Sequence, residues 1–329
     1  MSGLVDRIRA SGWNTWRTVQ AALIVVAFIL LLLLPLTGNA YWMRIVTFIF
    51  MFAIMAEGWN LIGGFTGYTA FGQVAWFGMG AYSVGVGMTK FGWSFWPTLA
   101  LACAVPAVAA IVIGIPVLRL RGHYFAIATL ALGVAMGEIA NNLPYLGAAS
   151  GISLPIGPSF GYFYYLMLAA LVLSVVVMWV ISRSRFGYAL FAIRENEQAA
   201  STLGINTAYY KTAAFAVSAI LTGLAGGIYA YWTSFIDPPT VFNIVFNVDI
   251  IVMTLLGGVG TIFGPIVGAF ILEGLNEVLG GTFLELHAVI FGALIVLIVL
   301  FLPGGLSSLF AGGRLNIRTF LRNFKSYKV

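Results

Sequence analysis

Residues 95–118 read FWPTLALACAVPAVAAIVIGIPVL, a run of 24 residues without one charged side chain. A transmembrane helix needs about 20 consecutive apolar residues to cross the hydrocarbon core of a bilayer. Charged groups inside lipid are costly, and this stretch has none. It therefore predicts a membrane-spanning helix, in which Pro106 and Pro116 are expected to cause kinks, as is Pro265 in a later apolar segment.

The composition of the whole 329-residue chain agrees with this stretch. The chain is 61% hydrophobic and 8% charged, whereas soluble domains carry about 25% charged residues. The net charge of +6 comes from short basic clusters between apolar runs, a pattern that marks cytoplasmic loops. We therefore expect an all-α, polytopic transmembrane helix bundle with membrane lipid around it and no nucleic-acid partner.

Nine apolar segments are candidate spans: 21–37, 45–61, 70–88, 95–118, 124–139, 162–181, 212–232, 250–272 and 288–302. Basic residues at both ends place both termini in the cytoplasm, which requires an even number of crossings. The stretch 249–281 is too long for one span and is broken at residues 257–260, so it fits two short helices that enter and return. The total is then eight to ten.

Three regions follow from this count. Residues 1–20 are a cytoplasmic N-terminal segment, residues 21–305 the transmembrane domain, and residues 306–329 a basic cytoplasmic tail. The tail has two interpretations, an amphipathic helix on anionic lipid or a solvated end that marks orientation. Residues 183–211 form the longest polar stretch between two spans.

Glycine pairs interrupt the chain at two similar places, Gly63-Gly64 and Gly257-Gly258. Either this is a weak internal repeat, or glycine is simply common in membrane helices. Broken helices at corresponding places in two halves point to the substrate path of transporters. The residues expected to line such a path are Glu57, Asn60, Gly63, Gly64, Gly67, Gln73, Gly257, Gly258 and Gly260.

Motifs for catalysis are absent from the sequence. His123 and His287 are isolated, and no cluster of Cys, His, Asp and Glu has the spacing of metal ligands. None of the four lysines follows a glycine, so the chain has no GxxxxGK[ST] phosphate loop. We expect no enzyme activity, no metal and no cofactor, and any ATP must be hydrolysed by a partner.

The polar stretch 183–211 reads RSRFGYALFAIRENEQAASTLGINTAYYK. Its middle, Arg194 to Ala200, is predicted to be one short helix that Gly204 ends. A short polar helix between two spans is suited to bind a cytoplasmic protein and to pass that protein's motion to both spans.

Glu197, Ala199-Ala200 and Gly204 resemble the EAA-xxx-G coupling loop of ABC importer permeases, with one residue between the acid and the alanine pair. Three other stretches resemble the branched-chain amino acid permease family of the LivM type. They are residues 67–73 with 78–82, residues 118–130, and residues 256–269. The resemblance covers about residues 45–305.

The resemblance implies a permease subunit in the cell inner membrane. It implies cytoplasmic ABC ATPase subunits, a second homologous permease and an external substrate-binding protein as partners. The cargo would be leucine, isoleucine or valine, or another small amino acid, an amide or urea. The ATPase-coupling residues would be Arg194, Glu195, Glu197, Ala199, Ala200 and Gly204.

An alternative is an ion-coupled secondary transporter of a small solute. Such a transporter would need ionisable groups inside the membrane, and the sequence offers Glu57 and Glu138. The alternative leaves the coupling-like loop without a purpose.

Overall fold

The computed structural model describes residues 29–282, together with Val26 and the pairs 292–293 and 305–306. The N-terminal segment 1–20, the predicted last span 288–302, the tail 306–329 and the first part of the span 21–37 lie essentially outside the described residues. Eleven α-helices are labelled here in chain order: α1 Ala40–Asn60, α2 Gln73–Thr89, α3 Phe95–Val117, α4 His123–Asn142, α5 Phe160–Arg183, α6 Arg185–Glu195, α7 Glu197–Thr202, α8 Thr207–Thr233, α9 Pro238–Val241, α10 Ile244–Gly257 and α11 Gly264–Thr282.

The prediction of an all-α, polytopic membrane bundle is confirmed. Among the described residues, six helical stretches are long and apolar enough to cross a membrane. They are Ala40–Phe65, Phe95–Val117, His123–Asn142, Phe160–Arg183, Thr207–Thr233 and Pro238–Gly257. The predicted segment 70–88 is the shorter helix α2.

Helix α1 lies at the centre of the bundle, where it packs against α5, α8, α10 and α11. All of its residues from Ile49 to Asn60 are buried. It continues into a π-helical turn, Leu61–Phe65, and then the helix ends. Residues 66–72, called the α1–α2 segment below, are not helical and lead into α2.

Helix α8 uses small residues to approach two neighbours, α2 and α3. A Cβ on Gly226 would collide with the carbonyl oxygen of Phe77, and one on Gly223 would collide with the carbonyl of Ala102. Apolar burial does not drive helices together in lipid, so close backbone packing at small residues does. The glycines of α8 therefore set how closely the three helices pack.

The predicted span 250–272 is wrong as a single helix, and the suspected break is confirmed. Helix α10 ends at Gly257 and α11 begins at Gly264. Between them Gly258 and Gly260 have φ angles of 126° and 78°, which glycine adopts without steric cost. The kink expected at Pro265 is absent, because Pro265 lies in the first turn of α11, where its missing N–H breaks no intrahelical hydrogen bond.

The end of the bundle opposite residues 183–211 carries a small departure from the all-helical prediction. Two short antiparallel strands, β1 Ile152–Ser153 and β2 Phe235–Ile236, pair there. They tie the loop after α4 to the end of α8.

Candidate functional site

The polar stretch 183–211 folds into two helices, α6 and α7, and the prediction of one helix over residues 194–200 is wrong. Asn196 breaks it, because its backbone is extended, with φ −161° and ψ 107°. The Asn196 side chain accepts a hydrogen bond from the Ala199 N–H at 3.0 Å. It is therefore the N-cap of α7. Gly204, with φ 85°, follows the end of α7 as predicted.

Helix α7 exposes one face, and the two alanines of the motif lie on different sides. Ala199 is exposed, whereas Ala200 is 2% exposed and packs inward. Leu203, just after the helix, is 81% exposed. The other exposed residues between positions 194 and 204 are Arg194, Glu195, Asn196, Gln198, Ser201, Thr202 and Gly204.

Arg194, at the end of α6, reaches into the membrane domain. Its Nη1 donates a hydrogen bond to the Gly64 carbonyl oxygen at 2.7 Å. A Cβ on Gly67 would lie 3.2 Å from the Arg194 Cγ, and one on Gly260 would lie 2.6 Å from its Nη1. Arg194 thus contacts both of the places where glycines interrupt the chain.

The two helix breaks also contact each other. The Asn60 Nδ2 donates to the Thr261 carbonyl at 2.8 Å, and the Asn60 Oδ1 accepts from the Gly260 N–H at 2.8 Å. A Cβ on Gly64 would lie 2.7 Å from the Gly260 nitrogen. The structure therefore brings together Asn60, Gly64, Gly67 and Gly260 from the predicted path set. Gly257 ends α10 and Gly258 begins the loop that contains Gly260, while Gly63 lies against the Trp59 ring.

Backbone groups in the α1–α2 segment are bound by side chains of other helices. The Phe71 N–H donates to the Thr129 Oγ1 at 2.9 Å, and the Asn247 Nδ2 donates to the Phe71 carbonyl at 2.7 Å. The Trp59 Nε1 donates to the Ala70 carbonyl at 2.7 Å. Non-helical backbone at membrane depth is tolerated only where such partners exist.

Gln73, at the start of α2, is fully buried in a polar chain that joins three helices. Its Nε2 donates to the Ser218 Oγ at 2.9 Å, and its Oε1 accepts from the Thr222 Oγ1 at 3.2 Å. The Ser218 Oγ donates to the Gly58 carbonyl at 2.6 Å. Since helices rise 1.5 Å per residue, Ser218 is roughly 16 Å from the start of α8. Gln73 is therefore deep inside the bundle.

The two intramembrane acids have different surroundings. Glu57 is fully buried in the central helix α1, one turn before Asn60. Glu138 is exposed near the end of α4, where the Asn142 Nδ2 lies 3.4 Å from its Oε2. That Glu57 and the other path residues line the translocation path stays a prediction.

A compact polar cluster surrounds Glu197. The Lys211 Nζ donates to the Glu197 Oε1 at 2.6 Å, and the Tyr68 hydroxyl donates to the Glu197 Oε2 at 2.6 Å. Lys211 also donates to the Tyr68 hydroxyl at 2.9 Å and to the Leu118 carbonyl at 3.1 Å. The Arg121 Nε lies 3.5 Å from the Glu197 Oε2. The basic clusters at 119–121 and 183–211 are thus on the same side of the bundle.

Electrostatics in this cluster favour the ionised form of Glu197. Burial raises the pKa of its carboxyl group, but hydrogen bonds from Lys211 and Tyr68 and the charges of Lys211 and Arg121 outweigh burial. The pKa of Glu197 is therefore below its ordinary value, and the group is a carboxylate at neutral pH. Sequence reasoning missed Tyr68, Arg121 and Lys211 as its partners.

The described part of the chain holds no group of three His, Cys, Asp or Glu side chains that is arranged for a metal ion. The polar side chains of this region bind backbone groups and one another. Its chemistry is that of a mechanical connection between a surface helix and the membrane helices.

Comparison with known proteins finds one family. The sequence profile described as "Branched-chain amino acid transport system / permease component" matches residues 41–299. No solved structure matches the chain.

Curated relatives agree with that profile. The high-affinity branched-chain amino acid transport system permease protein LivM of Escherichia coli K12 is 30% identical over 322 residues, which cover 88% of this chain and 75% of that protein. The protein of the same name from Salmonella typhimurium LT2 matches equally. The autoinducer 2 import system permease protein LsrC of Photorhabdus laumondii is 31% identical over 111 residues, 32% of this chain and 33% of that protein.

Proposed function

Since the chain belongs to the family of branched-chain amino acid transport system permease components, we propose that it is the membrane subunit of an ATP-driven importer. The family is one of transport permeases and not of enzymes. Beyond family membership, we propose an energy source, a set of partners and a cargo for this chain. Its partners are cytoplasmic ABC ATPases, a second homologous permease and an external substrate-binding protein, and it acts in the inner membrane with both termini in the cytoplasm.

The observation that carries the proposal is the position of Arg194. It stands next to the exposed helix α7 and hydrogen-bonds the Gly64 carbonyl while it packs against Gly260. A protein bound to α7 would therefore move side chains that hold both helix breaks. This is the mechanical link that an ATPase needs, because the chain has no phosphate loop of its own.

The mechanism follows from that link. Closure of the ATPase pair on ATP displaces α6 and α7, and the helices attached to them move as rigid bodies. The breaks at Gly64 and Gly260 then separate or close, so access to the path changes from outside to inside. The tight glycine contacts of α8 support rigid-body motion, because they leave α2 and α3 little freedom to slide against it.

The cargo proposed is a branched-chain or other small amino acid. The LivM relatives support it over 88% of this chain, whereas the LsrC relative matches only 32%. Competition for uptake of radiolabelled leucine in vesicles that contain the whole transporter would rank the cargo.

The docking assignment is tested with Ala199→Trp. Ala199 is exposed on α7, so a large side chain should prevent ATPase binding and abolish leucine uptake while membrane insertion stays intact. Ala149→Trp, an equal change at an exposed alanine on the opposite end, is the control. Ala200 is unsuitable because it is buried. Normal uptake and normal ATPase co-purification in the Ala199 variant would refute the assignment.

Ion-coupled transport is the second candidate function, and one observation favours it. Glu57 is a carboxyl group that is fully buried inside the helix bundle, which is the kind of group that ion-coupled transporters use. Leucine uptake by the purified chain alone, under a proton or sodium gradient and without ATPase, would favour this candidate.

A further inference from the structure

Glu197, the acid of the coupling motif, faces the membrane domain. Its side chain is 16% exposed, and both carboxylate oxygens are bound by groups of this chain: Lys211 on one side, Tyr68 and Arg121 on the other. Resting on the proposed function, we propose that Glu197 is a positioning residue that ties α7 to the α1–α2 segment through Tyr68 and does not contact the ATPase.

The negative charge of Glu197 is already paired with the ammonium group of Lys211. Lys211 is 5% exposed, and Glu197 is its ion-pair partner among the described residues. If Glu197 turned outward to pair with a basic group of another protein, the buried ammonium of Lys211 would lose its counter-charge. Breaking a buried pair by removing one partner is strongly destabilising, so the inward position is the stable one.

Tyr68 connects this ion pair to the interior. It belongs to the α1–α2 segment, whose next residues reach Phe71, where Thr129 and Asn247 hold the backbone. The segment leads directly to the buried Gln73, the first residue of α2. A displacement of Glu197 is therefore passed by the Tyr68 hydroxyl along the six residues from Tyr68 to Gln73, into the middle of the bundle.

The Glu197–Tyr68 hydrogen bond is separate from the contact that Arg194 makes with the helix breaks. Arg194 lies in the last turn of α6 and contacts the helix breaks, whereas Glu197 begins α7 and accepts a hydrogen bond from Tyr68. The extended residue Asn196 separates the two helices. The ATPase then meets the outward side of α7, where Ala199 and Leu203 are exposed. Docking and transmission are thus assigned to opposite faces of one helix.

The experiment compares Tyr68→Phe and Glu197→Gln in the complete transporter in proteoliposomes. Both variants should bind the ATPase as the unmodified chain does. Leucine transport should fall about tenfold relative to ATP hydrolysis, within the range typical of coupling between two sites. Tyr68→Phe keeps the ring against Lys211, so its effect isolates the hydroxyl.

Two further variants distinguish a loss of coupling between ATP hydrolysis and transport from a loss of protein stability. Glu138→Gln makes the same change of charge at the far end of α4 and should leave the ratio of ATP hydrolysed to leucine transported unaltered. Exchange of the charges in Glu197→Lys with Lys211→Glu should recover part of the transport lost in Glu197→Gln, because the ion pair is restored.

The proposal is overturned if both variants transport leucine at the normal ratio, or if Glu197→Gln releases the ATPase as Ala199→Trp does. If Glu197→Gln does not fold, Tyr68→Phe alone decides the matter by the same ratio. Failure of the proposed function would look different, because the unmodified complex itself would then show no ATP-dependent leucine uptake.

Discussion

Asn247 shows how much of this membrane protein depends on single polar side chains. It donates to the Phe71 carbonyl at 2.7 Å and accepts from the Val74 N–H at 3.1 Å. Its side chain thus occupies the gap where the backbone leaves the helical pattern before α2. Lipid offers no replacement for these hydrogen bonds.

Asn247→Ala should therefore destabilise the protein. Each buried group left unsatisfied costs about 1–3 kcal/mol, so about 2–6 kcal/mol is expected for the two. Unfolding in mild detergent by denaturant or heat measures the change. Asn142→Ala, at an exposed position, should change stability by less than about 0.5 kcal/mol. Equal stability of the two variants would contradict the role given to Asn247.

The environment of Glu197 predicts that the thermal stability of the protein depends on pH. Its pKa in the folded protein lies below the ordinary value, because Lys211 and Tyr68 stabilise the carboxylate. The ionised Glu197 therefore stabilises the folded protein fully at pH values above its unfolded-state pKa of about 4.3. This stabilisation is lost as the pH falls through the lower pKa of the folded protein. The difference in Tm between the unmodified protein and Glu197→Gln should stay constant from pH 8 to about pH 5 and shrink below pH 4. A difference that already disappears near pH 6 would contradict the ion pair.

The packing of α8 against α2 and α3 is determined by small residues. Gly80 of α2 faces the Gly223 backbone, and Gly226 faces the Phe77 carbonyl. Side chains at these positions would force the helices apart. The close approach fixes the three helices as one unit, which is what rigid-body motion requires.

Gly226→Ala tests this packing. A methyl group there meets backbone and not a flexible side chain, so a loss of about 1–3 kcal/mol is expected, as for other overpacked sites. Gly161→Ala is the matched control, because nothing lies within 4 Å of a Cβ at that position of α5. The control should be neutral or slightly stabilising. Thermal unfolding in detergent that leaves Gly226→Ala as stable as the control would contradict the packing.

At the level of helices and loops, sequence patterns predicted most membrane-spanning helices and some of the places where helices break. Apolar length is enough to find α3, α5 and α8, and glycine pairs correctly placed the breaks after α1 and α10. The pattern did not predict the turn at Asn196, although asparagine before Glu197 is an N-cap signal. Nor did it predict the α1–α2 segment at depth, since its stability comes from Thr129 and Asn247, which are distant in sequence.

The sequence predicted which residues belong to the candidate site, but not which of them contact one another. The motif at Glu197 to Gly204 is visible in the chain, and so are the glycines of the two breaks. That Arg194 joins them, and that Tyr68, Lys211 and Arg121 surround Glu197, depends on residues up to 143 positions apart. One sequence carries no information about such pairings, because several polar residues are equally suitable.

Across the whole molecule, the two ends have different chemistry. One end holds α6, α7, both helix breaks and the basic residues Arg119 and Arg121, and the other holds the strand pair β1–β2. An excess of Lys and Arg marks the cytoplasmic side of membrane proteins. We therefore expect α7 to lie inside the cell, on the side where the proposed ATPase would bind.

One labelling experiment tests this placement and the docking together. In a Cys103→Ser chain, Ser201→Cys puts a single thiol on the exposed face of α7. A membrane-impermeant maleimide should label it in inverted vesicles and not in intact cells, and the ATPase subunits should protect it when they are present. Labelling from outside the cell, or labelling from inside that the ATPase leaves unchanged, would contradict the account.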